Sequence, residues 1–145
     1  MTDVIPPMAL EELKILQSVI SKHDDLRSQV LGWCVALVTG LTIAYLSKPV
    51  ALDRWGFVAL SVAIVLLFLW VSVTYKVAQD RAIERARTIE SQIRSKTVYD
   101  GPLVTNSLSR ANRWSDQKQA LKNVRVWGPF AALLVLVVLG AFAHQ

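Results

Sequence analysis

The sequence predicts an all-α membrane protein, with three transmembrane helices, an N-terminal amphipathic helix and two cytoplasmic helices between spans 2 and 3. Three observations carry this prediction. No Asp, Glu, Lys or Arg occurs in residues 28–47, 55–75 or 126–145, stretches of 20, 21 and 20 residues. A helix of about 20 mostly apolar residues crosses a hydrocarbon core. Charged residues make up 19% of the 145 and hydrophobic ones 53%, whereas a soluble domain carries about 25% charged. Finally, apolar residues keep helical spacing on into the polar segments. Intrinsic disorder is excluded by the hydrophobicity, and a disulfide scaffold by the single cysteine, Cys34.

The chain divides into a cytoplasmic amphipathic segment (1–29), a transmembrane hairpin (30–75, spans 30–47 and 55–75), a basic cytoplasmic helical hairpin (76–126) and a third span (127–145). The first 27 residues are polar and net acidic, the reverse of a signal peptide, so the first span is expected to be an uncleaved anchor. Pro6-Pro7 opens the first helix, since proline is tolerated in the first turn. Leu13, Leu16, Ile20 and then His23, Arg27 and Val30 recur at three- and four-residue steps into span one. There Ser28, Gly32, Ala36, Gly40 and Ala44 fall every fourth residue. Small residues at that spacing let two helix backbones approach closely where lipid removes the hydrophobic incentive. The partner is either span two or three of the same chain or a neighbouring subunit.

Lys48-Pro49 ends span one, and the short loop that follows makes an antiparallel hairpin. Span two should overshoot the membrane, because Val77, Ile83, Ala86, Ile89 and Ile93 keep helical spacing with no Gly or Pro before Gly101. A helix from Gly56 to Lys96 would be roughly 60 Å long at about 1.5 Å per residue. Glu84–Arg87 and Glu90–Arg94 stand at intrahelical pairing spacing. Asp100-Gly101-Pro102 is a turn signal, with Asn106 or Ser107 as N-cap of a second cytoplasmic helix. That helix should carry Leu108, Ala111, Trp114, Leu121 and Val124 on one side and Arg110, Arg113, Lys118, Lys122 and Arg125 around the other. Gly128-Pro129 marks a kink or a fresh helix start for span three.

Charge sets the expected topology. Basic residues number three in 1–27, two in 48–54 and eleven in 76–125, against five, one and five acidic residues. Loops rich in Lys and Arg stay in the cytoplasm. The N-terminus and residues 76–125 are therefore expected inside a bacterial inner membrane, with the C-terminus outside. Trp33, Tyr45, Trp55, Tyr75 and Trp127 stand near span boundaries, where amphipathic rings prefer the interface.

Catalysis is not expected, and neither is a cofactor. The sequence holds no Gly-rich phosphate loop, zinc-ligand spacing or nucleophile motif. His23-Asp24-Asp25 reads as solvated helix surface rather than a metal site, and Cys34 as a small buried apolar side chain. The spans carry no ionisable Asp, Glu, Lys or Arg, so proton-coupled transport has little support. Hydroxyls within spans usually bond their own helix backbone. If a water-filled path exists, Thr39 and Thr42 are the first candidates to line it. Three helices cannot enclose a pore alone, so a conducting path needs several chains, most naturally a homo-oligomeric ring of four or more.

The basic segment of net +6 has three readings. It satisfies the positive-inside rule beside anionic membrane lipid, it forms salt bridges, or it grips an anionic ligand such as a nucleotide or oligonucleotide. In the third case Arg81, Arg85, Arg87, Arg94, Arg110, Arg113, Lys118 and Lys122 are the candidate ligand-binding residues, with Trp114 or Tyr99 available for stacking.

The layout from Leu10 to Lys96 resembles the SLATT-type small membrane effectors of bacterial anti-phage systems, of the CBASS and Hailong type. The stretches that carry the resemblance are Leu16-Gln17-Ser18-Val19-Ile20 with Gly32-Trp33, and Asp80-Arg81-Ala82-Ile83-Glu84-Arg85. The third span departs from the basic two-span pattern. The resemblance implies pore formation that collapses the membrane potential, controlled by a nucleotide signal from a partner nucleotidyltransferase. The expected function is therefore an oligomeric channel gated by an anionic cytoplasmic ligand in anti-phage defence. The alternatives are a non-conducting membrane anchor for a soluble partner and a holin-like pore.

Overall fold

The computed structural model describes residues 7–47, 53–95, 99–101 and 114–143. Four helices account for nearly all of them: α1 (Pro7–Leu46), α2 (Arg54–Ser95), α3 (Trp114–Leu121) and α4 (Val124–Ala143). No strand occurs among the described residues. α1, α2 and α4 are each long and apolar enough to cross a membrane.

α1 and α2 run 40 and 42 residues without interruption and pack along each other as an antiparallel pair. The amphipathic segment and the first span are thus one rod, and so are the second span and its polar extension. The divisions at 29 and 75 fall inside continuous helices. Asp53 caps α2, its Oδ1 accepting the Gly56 N–H at 3.1 Å.

Two cores divide the pair lengthwise. In the apolar half, Cys34 and Val38 of α1, Phe57 and Val65 of α2, and Phe130, Val137 and Ala141 of α4 form one buried cluster. Tyr45 stacks on Phe57 with ring centroids 4.4 Å apart, and the Arg54 guanidinium lies 5.2 Å over the Phe142 ring, joining α2 to the end of α4. In the polar half, Ala9 and Leu16 of α1 meet Ala82 and Ile89 of α2. A smaller cluster of Val73, Val77, Ala120 and Val126 seats α3 and the start of α4 against α2.

Two expectations are corrected near α4. Of the two readings of Gly128-Pro129, the fresh start is overturned, since the helix begins at Val124, and Pro129 lies inside it, where a kink would stand. Asn123 sets the start: its Oδ1 accepts the Arg125 N–H at 3.1 Å and its carbonyl accepts the Val126 N–H at 2.9 Å. The break at Lys122-Asn123 also changes the helical phase. Leu121 and Val124, expected on a packed side, are 42% and 61% exposed, while Gln117 and Ala120 are buried. The proposed caps Asn106 and Ser107, together with Leu108 and Ala111, lie outside the described residues.

Leu16 is fully buried in the polar-half core. Leu16→Ala should lower stability by about 2–5 kcal/mol, the usual range for a buried leucine. Thermal unfolding in detergent, followed by circular dichroism, checks it.

Candidate functional site

The polar half brings the charged side chains together in two places. The first is buried between α1 and α2. Arg85 Nε donates to Glu12 Oε1 at 3.0 Å and Nη2 to Glu12 Oε2 at 3.3 Å, a forked pair. The same guanidinium donates to Asp100 Oδ1 at 3.0 Å, Asp100 Oδ2 at 3.3 Å and the Gly101 carbonyl at 2.8 Å. The Tyr99 hydroxyl donates to Glu12. The Glu12 and Arg85 side chains are 1% and 8% exposed.

Each element delivers its residue for a readable reason. Glu12 sits in the row Ala9, Glu12, Leu16 that α1 turns toward α2. Arg85 sits in the row Ala82, Arg85, Ile89 that α2 turns back. Gly101 adopts a φ of 84°, a left-handed conformation that favours glycine, and this turn presents the Asp100 carboxylate and the Gly101 carbonyl together. Sequence reasoning missed Glu12. The available signal was an acid inside one apolar row and a cation inside another on the paired helix.

The electrostatics follow from these bonds. Hydrogen bonding to Glu12 holds the Arg85 guanidinium well above its ordinary value. The bond from Arg85 draws the Asp100 carboxyl below its ordinary value. Desolvation, aided by the bond to Glu12, pushes the Tyr99 hydroxyl up to about 12. Arg85 is thus a buried cation shared by Glu12, Asp100 and the Gly101 carbonyl. Tyr99, a candidate for stacking, is likewise engaged.

The second place is an open groove of about 830 Å³ between α2 and α3. It gathers Arg81 and Arg87 from the candidate set, and adds Lys76. Three carboxylates, Asp80, Glu84 and Asp116, line it as well. Lys76 pairs with Asp80 at 2.7 Å, and Arg81 pairs with Asp116. Arg87 is exposed and makes no ion pair among the described residues, so the expected Glu84–Arg87 pair is not formed. Arg94, Lys118 and Lys122 are exposed but do not line the groove. Arg110 and Arg113 lie outside the described residues.

In the apolar half, Gly32, Ala36, Thr39 and Gly40 all face outward. A Cβ added at Gly32 or Gly40 would meet nothing within 4 Å. Neither α2 nor α4 covers this strip, which excludes packing on span two or three of the same chain; only Ala44, at its far end, is half-buried. Thr42 Oγ1 donates to the Val38 carbonyl at 2.8 Å, the backbone bond expected of a hydroxyl in a span. His23 Nδ1 donates to the Val19 carbonyl at 2.7 Å and its ring meets Tyr75 edge-on. No group of three or more His, Cys, Asp or Glu suited to a metal occurs among the described residues.

No family model, curated protein or solved structure matches this chain.

Two outcomes are expected from the buried network. Arg85→Leu leaves Glu12 buried without its cation and should cost about 3–5 kcal/mol, whereas Glu12→Gln combined with Arg85→Leu should recover much of that loss in chemical denaturation. The raised Tyr99 value means the folded state prefers the neutral phenol. Its stabilising contribution is complete below about pH 10 and lost as pH rises toward 12. The tyrosinate absorbance difference between wild type and Tyr99→Phe should therefore appear near 12 rather than 10.

Proposed function

We propose that this chain is the subunit of a homo-oligomeric ion channel in a bacterial inner membrane, with residues 76–125 and the N-terminus in the cytoplasm. In this reading the cytoplasmic helices take an anionic ligand, a nucleotide or oligonucleotide, and the channel acts as an effector of anti-phage defence. The observation that carries the assembly is the uncovered strip of Gly32, Ala36 and Gly40 on α1. The outward faces of α2 and α4 carry single small residues such as Ala63 and Ala132 but are dominated by bulky side chains suited to lipid: Leu66 and Leu67 on α2, Leu136 and Leu139 on α4, all more than half exposed. A strip without side-chain bulk instead suits a second helix backbone at close range. Thr39 is also exposed and lies one helical turn along from Ala36, at the edge of the strip. Repeated around a ring, that surface would place a hydroxyl at or beside each subunit contact.

For the ligand, the support is the groove between α2 and α3, where Arg87 is the cation left without a carboxylate partner among the described residues. The defensive setting comes from the resemblance of the hairpin and its cytoplasmic extension to SLATT-type effectors.

Reconstitution in liposomes tests the reading. The wild type should assemble as four or more subunits by native mass spectrometry and pass ions when oligonucleotide is added. Gly32→Leu with Gly40→Leu should leave helicity intact, since both sites are open in the single chain. The same change should reduce the protein to monomer and abolish flux. Arg87→Glu should keep the assembly and lose the ligand response. A monomeric wild type, or an assembly that binds a stoichiometric protein partner and passes no ions, would overturn the channel in favour of an anchor.

A further inference from the structure

Each of the three long helices changes from charged to charge-free sequence at one level: after Arg27 in α1, before Lys76 in α2 and after Arg125 in α4. At that level a cleft of about 280 Å³ opens between them. Arg27 and Arg125 line it from two different helices, and the Ser28 and Ser72 side chains line it as well. Leu31 and Phe130 continue the wall on the apolar side. Arg27 is only partly neutralised. Its Nη1 stands 3.9 Å from Asp24 Oδ1, beyond hydrogen-bond range, and its buried Nε has no hydrogen-bond partner. Two arginines and one aspartate leave the cleft one positive charge in excess.

We propose that this cleft binds the phosphodiester of an anionic phospholipid. One negative phosphate balances the excess charge, and guanidinium groups are suited to bind phosphate through paired hydrogen bonds. The arginines stand where headgroups lie, if the charge-free stretches occupy the hydrocarbon. Leu31 and Phe130 offer the acyl chain an apolar path, which a free phosphate could not use. The first turn of α4 adds the positive end of its dipole beside Arg125. A basic pocket between spanning helices at the headgroup level is the expected form of such a site. Occupation would tie α1 to α4 where the direct packing between them is slight. The site is independent of whether the assembly conducts.

The test uses the full chain in detergent, titrated with phosphatidylglycerol or phosphatidylcholine of identical tails and read by native mass spectrometry. At about fivefold per arginine, the wild type should retain phosphatidylglycerol about twenty-five-fold better. The preference should fall to near one in Arg27→Gln/Arg125→Gln and persist in Arg87→Gln/Lys122→Gln, with helicity of each checked by circular dichroism. Equal retention of the two lipids by the wild type would overturn the proposal without recourse to any variant. So would a preference that survives in the Arg27/Arg125 variant. Displacement of the lipid by millimolar inorganic phosphate would show a free-anion pocket and overturn the lipid assignment.

Discussion

The architecture of the polar half depends on one buried guanidinium. Two helices of about 60 Å packed side by side by small and aliphatic residues have few features that distinguish one axial register from the next. Arg85 supplies that distinction. A buried carboxylate is tolerated only where a cation meets it with matching geometry, so Glu12 fixes α1 against α2 at a single position. Its remaining donors bind Asp100 and Gly101, which brings the segment leaving α2 back onto the pair. The neighbouring Ala9, Leu16, Ala82 and Ile89 contribute burial, and the guanidinium determines where that burial occurs.

The fold was legible because its strongest determinants are one-dimensional. Three charge-free stretches locate the apolar helices, and unbroken helical spacing through Ile93 correctly extends α2 far beyond the apolar stretch. What misled was local chemistry at helix ends. Gly128-Pro129 reads as a kink or a fresh start, yet Pro129 stands as the sixth residue of a helix that begins before it. Asn123, five residues before Gly128, offers a real cap. Leu121 and Val124 fit one apolar side only if the helix runs through them, and it does not.

The charged residues were harder to read because composition counts cations without their partners. Arg81, Arg85 and Arg87 lie within seven residues of one helix, but the structure gives them three different circumstances. One pairs across to α3, one is buried against α1, and one is exposed in the groove. Helical spacing could have separated them, since Arg85 shares a row with Ala82 and Ile89. The small residues were legible as one strip from their spacing alone. That the strip faces outward required the positions of α2 and α4, which nothing in the spacing encodes.

The continuity of α1 has a mechanical consequence. No proline or change of helix type separates Glu12, held in the polar half, from Thr39 and Gly40 in the apolar half. The two positions are about 40 Å apart along one axis. A tilt of about 5° pivoting near Glu12 would move the backbone at Gly40 sideways by about 3.5 Å, comparable to an atomic diameter. α1 is in this sense a rigid rod packed on α2, and a tilt shared by the pair would be carried to the surface that no part of the same chain covers.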